Sequence, residues 1–158
     1  MKILPNYNIV DKKLIRGAQV VSPIKLYKMK KIGVTQVVDL RNEGGVKKFL
    51  EKLFCKILGL KYFNYPSSFR DGTAFDKEYY NVVNKSISEN DGITYLHCKN
   101  GKHRTGLCVA AYEKEVMNKS NPEIIYNLYT KSFDELTKGP RQSLTNALKN
   151  FARIFDLR

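Results

Sequence analysis

The sequence predicts an α/β protein with a central, mainly parallel, twisted sheet flanked by helices. Short runs rich in β-branched and apolar residues alternate with amphipathic stretches of helical length, which is typical of parallel strands joined by helical crossovers. Turn-forming residues separate these runs at regular intervals, and no internal repeat interrupts them. The chain has 158 residues, so we expect residues 1–158 to form a single domain.

The first elements are marked by helix start and stop signals. Ser22 followed by Pro23 is typical of a helix N-terminus, and Gly33 is expected to end that helix. The β-branched run 34–40 then predicts a strand. Apolar residues at helical spacing predict an amphipathic helix over 46–58.

The middle of the chain repeats this order. We expect a short strand over 61–65 and a polar loop with turn-forming residues over 66–73. Asp76 can cap a helix that runs to about Glu89. An Asp-Gly turn then leads into an apolar strand over 93–97.

Helices dominate the last third of the chain. We expect one from Thr105 to about Met117, one from Asn121 to about Phe133, and one after Pro140. Ligands of parallel sheets bind at the carboxyl ends of the strands. The loop 98–104, between a strand and a helix, is therefore the expected position of a functional site.

The composition indicates a globular protein rich in lysine. Hydrophobic residues make up 42% of the chain and charged residues 27%, which excludes a disordered or collagen-like chain. No apolar run reaches the ~20 residues that a membrane span requires. We therefore expect a soluble, cytoplasmic protein. Lys and Arg number 28 against 15 Asp and Glu, and the net charge of +13 favours anionic partners such as phosphorylated substrates, acidic lipids or nucleic acid.

The three cysteines form neither a disulfide framework nor a zinc motif. Cys55 and Cys108 lie in apolar stretches of helical spacing, so we expect both to be buried in the core. Cys98 is different because it begins the polar loop. It is the candidate reactive thiol.

The segment 97–106 reads HCKNGKHRTG, and it carries the pattern His-Cys-x2-Gly-x2-Arg-Thr-Gly between a strand and a helix. It resembles the cysteine-dependent phosphatases, the superfamily of protein tyrosine and dual-specificity phosphatases with a Cys-x5-Arg loop. The loop is similar to that of the plant and fungal atypical dual-specificity phosphatases, which carry Gly-Lys-His-Arg-Thr-Gly. Segments 14–19 and 37–41 resemble further elements of small dual-specificity phosphatases, so the resemblance runs from about residue 14 to 120. It implies a dual-specificity-phosphatase-like fold and hydrolysis through a phosphocysteine.

The chemistry of the loop residues supports the same role. Backbone N–H groups at the start of a helix can bind a dianionic phosphate and lower the pKa of the Cys98 thiol. Gly101 permits a tight loop, and the planar guanidinium of Arg104 can hold two phosphate oxygens. Thr105 can donate its hydroxyl to the Cys98 sulfur. We expect Cys98 to attack phosphorus. We assign substrate binding to Lys99, Asn100, Gly101, Lys102, His103 and Arg104.

The expelled oxygen needs a proton from an acid on another loop. Asp71 lies in the polar loop, 27 residues before Cys98, and members of the resembled family place their general acid at a comparable separation. Asp76 is the alternative, although a role as helix N-cap explains it better. We favour Asp71 as the acid.

Other polar residues near the loop have structural explanations. We expect His97 to orient the loop through hydrogen bonds rather than to bind a metal, because no second ligand stands at metal spacing. Arg41 can either reach the substrate or form a structural salt bridge, and the sequence leaves both open. Arg16 and Gln19 are expected to be structural, and Asp39 to hydrogen-bond a loop backbone.

The sequence thus predicts a cysteine-dependent phosphatase of dual-specificity or tyrosine type that hydrolyses phosphomonoesters on proteins. An inositol phosphate or pyrophosphate phosphatase is an alternative, because Lys99, Lys102 and His103 can form a basic mouth, although they can equally be solvated rim charges. An RNA 5′-phosphatase and a non-catalytic phosphate-binding module also stay open. We expect a monomer with no cofactor and no metal. Nucleic acid is not expected as a partner except as a 5′-phosphate substrate.

Overall fold

A five-stranded sheet lies between two layers of helices in the computed structural model, which describes residues 4–69 and 72–158. The strands are β1 (Asn8–Ile9), β2 (Leu14–Gly17), β3 (Val34–Asp39), β4 (Lys61–Asn64) and β5 (Ile93–His97). Their order across the sheet is β1-β2-β5-β3-β4. Strands β2, β5, β3 and β4 are parallel, and β1 pairs antiparallel at one edge. The predicted mainly parallel sheet is confirmed.

Six helices cover the sheet. They are α1 (Pro23–Lys31), α2 (Val46–Leu58), α3 (Lys77–Glu89), α4 (His103–Glu115), α5 (Asn121–Lys131) and α6 (Gln142–Ile154). The predicted caps are present, since the Ser22 side chain accepts from the N–H of Lys25 and Asp76 accepts from that of Glu78. Helix α4 begins two residues earlier than the sequence predicts, because the N–H of Gly106 already bonds to the carbonyl of Lys102.

Strands β1 and β2 are absent from the sequence prediction. Strand β2 is only four residues long and contains an arginine and a glycine, so it carries neither alternation nor a β-branched run. All four of its residues are nevertheless buried, because it pairs with β5 in the interior of the sheet.

Two apolar cores flank the sheet. Helices α1 and α2 cover one of them, which includes Leu26, Met29 and Cys55. Helices α3 to α6 cover the other, which includes Cys108. Both cysteines are buried, as predicted. Within residues 4–69 and 72–158, no helix has the length and apolar character that a transmembrane span requires.

The four parallel strands end at the same level. In the register of the sheet, Gly17 and Asp39 each pair with His97, and Asn64 pairs with Asp39. The segments that follow these residues therefore emerge side by side at one edge of the sheet. The loop that begins with Cys98 is the central one.

Candidate active site

The Cys98 loop connects β5 to α4 and is folded tightly against the end of β2. Gly101 has a φ of +68°, a left-handed conformation that favours glycine. A Cβ atom at this position would lie 2.0 Å from the carbonyl carbon and oxygen of Gly17. The expectation that Gly101 permits a tight loop is confirmed, and the contact with backbone atoms leaves no room for a side chain.

A side chain of β2 and a backbone N–H just after this strand hold the loop backbone in place. The buried guanidinium of Arg16 donates to the carbonyls of Gly101 at 2.9 Å and Lys102 at 3.1 Å. It also donates to the hydroxyl of Ser132 at 2.9 Å, and the N–H of Gln19 donates to the carbonyl of Lys99 at 3.1 Å. Arg16 and Gln19 are structural, as the sequence predicts.

Cys98 lines a cleft although only 3% of its surface is exposed. Burial acts to raise the pKa of the thiol, but hydrogen bonds from the side chain and backbone N–H of Thr105, the charge of Arg104 and the N–H of Lys102 together bring this pKa below its ordinary value. This is the direction that a nucleophilic thiolate requires.

Arg104 forms a bidentate ion pair with Glu43 on the loop after β3. Its Nη1 and Nη2 atoms lie 2.8 Å from the two carboxylate oxygens, and Nη1 also donates to Asn42 at 3.2 Å. The hydrogen bonds from Arg104 lower the pKa of Glu43 to about 2, so the carboxylate is charged at neutral pH. Nothing in the loop sequence marked Glu43, apart from its position directly after a strand at the same edge of the sheet.

Two of the basic loop residues are paired with acidic residues of the short 3-10 helix Asp134–Thr137. Lys102 Nζ lies 2.7 Å from Asp134 and 3.0 Å from Glu135. His103 Nε2 lies 3.1 Å from Glu135. Lys99 is exposed, and no ion pair involving it is formed among residues 4–69 and 72–158. Lys102 and His103 therefore line the cleft as partly exposed side chains that are paired with acidic residues.

A buried ionic cluster supports the loop from below. The Arg41 guanidinium donates to both oxygens of Asp39 at 2.8 Å and forms an ion pair with Glu51. Of the two roles that the sequence left open for Arg41, the structure contains the salt bridge. Asp39 also accepts from the Arg41 N–H at 2.9 Å, which confirms the predicted bond to a loop backbone.

His97 belongs to the same cluster. Its Nδ1 lies 2.9 Å from the carbonyl of Cys98, so it contacts the loop as predicted, and its Nε2 lies 2.9 Å from Glu51. Burial acts to lower the pKa of His97, but Glu51 and Asp39 raise it above its ordinary value. The side-chain atoms of Asp39, Glu51 and His97 come within 4.8 Å of one another, a proximity that sequence spacing did not reveal. Arg41 already supplies the positive charge for these carboxylates.

Glu51 has one sequence signal that could have identified it. It is the only acidic residue of α2, and it stands on the side of that helix that faces the sheet, beside the buried Cys55. A charge at such a position needs a buried partner.

The two candidate acids have different outcomes. Asp71 lies outside the described residues. Asp76 accepts a hydrogen bond from the N–H of Glu78 at 3.0 Å and is the N-cap of α3, as expected. The segment just before Asp71 reaches the site, because Ser67, Ser68 and Phe69 line the cleft.

The cleft above Cys98 is open and has a volume of about 890 Å³. The Cys98 loop forms its floor, Asn42 and Glu43 form one wall, and neutral polar residues of α6, such as Asn146 and Asn150, form another. It can admit a phosphate group whose oxygens reach the loop N–H groups and Arg104, and it has space for a larger group behind the phosphate.

Solved structures of low sequence identity share this fold. The chain is similar to TpbA of P. aeruginosa, with a TM-score of 0.74 and 18% identity over 98% of this chain and 89% of that one. It is similar to the core catalytic domain of the PP-IP phosphatase SIW14 of S. cerevisiae, with a TM-score of 0.70 and 18% identity over 98% and 94% of the two chains. It is also similar to PTPMT1, with a TM-score of 0.67 and 22% identity over 95% of this chain and 96% of that one.

No curated protein sequence matches the chain. A family model described as "DSP-PTPase phosphatase fused to NAD+ Kinase" matches residues 4–147, which is most of this chain. The fold and this match agree with the resemblance of the Cys98 loop to that of the cysteine-dependent phosphatases. The chain therefore belongs to this DSP-PTPase family, within the cysteine-dependent superfamily of protein tyrosine and dual-specificity phosphatases.

Proposed function

We propose that this chain is a single phosphatase domain that hydrolyses phosphomonoesters, with Cys98 as the nucleophile. The observation that carries the proposal is the Cys98 thiol, which has a lowered pKa and lies in a glycine-tightened loop beside the Arg104 guanidinium. A low thiol pKa, N–H groups at a helix start and a planar cation together suit attack on a phosphate dianion.

Two steps complete the proposed reaction. The Cys98 thiolate forms a bond to phosphorus while the bond from phosphorus to the alcohol or phenol oxygen breaks, and Asp71 donates a proton to that oxygen. Water then attacks phosphorus, the sulfur–phosphorus bond breaks, and the Asp71 carboxylate accepts the proton of the water. Thr105 donates its hydroxyl to the sulfur as it leaves. Residues 99–104 hold the phosphate oxygens throughout.

We propose phosphorylated protein side chains, phosphotyrosine among them, as the substrate class. The paired state of Lys102 and His103 supports this choice, because Asp134 and Glu135 cancel positive charge that a highly phosphorylated ligand would need. Among the similar structures, a variant of TpbA was solved in complex with pTyr.

An inositol phosphate or pyrophosphate is the second candidate substrate. The exposed Lys99, on the rim of the cleft, favours it, and the similar SIW14 domain is that of a PP-IP phosphatase. The cleft volume of about 890 Å³ is sufficient for either class.

The test is phosphate release from a phosphotyrosine peptide, an inositol pyrophosphate and an RNA 5′-phosphate, measured side by side. The Cys98→Ser variant is the blank, and Cys55→Ser, in the opposite core, is the matched control. We expect the peptide to be hydrolysed by the wild type and by Cys55→Ser but not by Cys98→Ser. Turnover of the inositol compound alone would favour the second candidate. If no substrate is hydrolysed above the blank, a non-catalytic phosphate-binding module replaces the proposal.

A further inference from the structure

Helix α2 exposes an apolar stripe that no described part of the chain covers. The helix contacts the rest of the protein through its other side, where Glu51 and Cys55 are buried. The stripe residues recur at intervals of three or four, so they lie on one face. They are Val46, Phe49, Leu53 and Ile57, with exposed fractions of 73%, 64%, 39% and 70%.

The neighbouring helix α1 extends this surface. It packs beside α2 and leaves Ile24 and Tyr27 exposed by 66% and 48%. These exposed side chains of both helices are large and apolar. A group of such side chains exposed in one layer marks an interaction surface.

The same two helices carry much of the positive charge of the protein. Each has four lysines, and the single acidic residue between them is the buried Glu51, which gives a net charge of +7. The four helices of the opposite layer carry seven cationic and five acidic residues, a net charge of +2. None of the lysines of α1 and α2 forms an ion pair with another described residue.

We propose that the outer surface of α1 and α2 docks on an anionic lipid bilayer. Interfacial helices combine exposed Phe, Leu and Ile side chains with lysines, so that the apolar groups enter the boundary of the acyl chains while the lysines pair with headgroups. The stripe of α2, with Lys52 and Lys56 beside it, has this composition. The proposal is independent of the chemistry at Cys98.

The charge and residue types favour a bilayer over two other occupants. If a second copy of the chain docked here, two helix layers that each have a net charge of +7 would face each other. Their repulsion opposes pairing. Protein interfaces are depleted in lysine and enriched in arginine, whereas every cation on these two helices is a lysine. An anionic headgroup layer accepts lysines without requiring fixed geometry.

Vesicle co-sedimentation tests the proposal with the whole chain. One set of vesicles is phosphatidylcholine alone, and the other has equal parts of phosphatidylcholine and phosphatidylserine. We expect binding to the second set only, and loss of that binding at high salt. The double variants Lys52→Gln/Lys56→Gln and Phe49→Ser/Ile57→Ser should each weaken binding roughly ten-fold or more.

Matched substitutions on the opposite layer serve as controls. Lys85→Gln/Lys131→Gln removes the same charge, and Tyr126→Ser removes a side chain that is 67% exposed. Both controls should bind vesicles as the wild type does, and all variants should keep the wild-type circular dichroism spectrum. The proposal would be overturned if the α2 substitutions and the control substitutions weakened vesicle binding equally. It would also be overturned by binding to polyglutamate without binding to vesicles, which indicates an acidic protein partner, or by a dimer in solution that the α2 substitutions dissociate.

Discussion

The Arg104 guanidinium donates two hydrogen bonds of 2.8 Å, from Nη1 and Nη2, to the two carboxylate oxygens of Glu43. A guanidinium has five N–H groups, and this pairing uses the edge formed by the two Nη atoms. This pairing uses one of the two N–H groups of Nη2 and leaves out Nε, so the Nε–Nη2 edge can still serve as a fork for two phosphate oxygens. Glu43 is therefore a positioning residue for the proposed phosphate clamp.

Replacing Glu43 with Gln should lower kcat/KM for a phosphotyrosine peptide by roughly ten-fold, because the charge-assisted bonds that fix Arg104 are weakened. Most of the loss should be in KM, since the clamp binds phosphate in the ground state as well as in the transition state. Steady-state kinetics of the purified variant provide the measurement. Glu89→Gln, an exposed acidic position on α3, is the control and should have wild-type values. A rise in kcat/KM for Glu43→Gln would mean that Glu43 competes with phosphate for Arg104.

Alkylation by iodoacetamide should distinguish Cys98 from the other two cysteines. Burial raises the pKa of Cys55 to about 12 and raises that of Cys108 further, whereas the pKa of Cys98 lies below its ordinary value. Only the thiolate reacts, so the Cys98 rate should increase as pH rises through a midpoint below that of free cysteine. Thr105→Val removes a hydrogen bond to the sulfur, and its midpoint should move to higher pH. Peptide mapping by mass spectrometry across a pH series measures all three sites. A Cys98 midpoint at or above that of free cysteine would contradict the lowered pKa.

Gly101→Ala should reduce kcat roughly hundred-fold, because a Cβ atom 2.0 Å from the Gly17 backbone forces the loop to move and displacements of about 1 Å are that costly. Gly139→Ala is the matched control, since a Cβ there meets nothing within 4 Å. Activity and thermal unfolding of both variants should be compared. Wild-type activity in Gly101→Ala would show that the loop tolerates a different backbone path.

Local patterns predicted most of the fold and the centre of the site. Caps, glycine stops and apolar periodicity are local signals, and they placed α1, α2, α3 and the strands β3, β4 and β5. The loop at Cys98 was identifiable because its chemistry is contained in ten consecutive residues.

Partners from distant parts of the chain could not be predicted in the same way. Glu43 meets Arg104 across 61 residues, and Arg16 reaches the loop carbonyls across 85 or more. Such pairs are created by the parallel sheet, which brings the ends of separate strands to one edge. Patterns within a short stretch of sequence contain no information about these long-range pairs.

The acidic pair Asp134 and Glu135 should make the cleft select against highly charged anions. Burial acts to raise the pKa of Glu135, but hydrogen bonds from its own backbone N–H and from the side chains of Lys102 and His103 lower it to about 2. Its charge, with that of Asp134, therefore opposes anions at the cleft under neutral conditions. In the double variant Asp134→Asn/Glu135→Gln, Lys102 and His103 are released toward the cleft. The inhibition constant of inositol hexakisphosphate, measured against hydrolysis of a phosphotyrosine peptide, should then be roughly ten-fold lower than for the wild type. This difference should disappear at high salt.

The control for this prediction is Glu78→Gln/Glu89→Gln on α3, which changes the net charge equally but away from the loop. Long-range charge alone would tighten inhibition in both double variants by the same factor. An effect confined to Asp134→Asn/Glu135→Gln would instead require the direct contacts of 2.7 and 3.0 Å to Lys102. An unchanged inhibition constant in that variant would mean that Lys102 and His103 do not contact the anion even when they are unpaired. In that case the preference of the site would have to depend on Lys99 and the backbone of the loop.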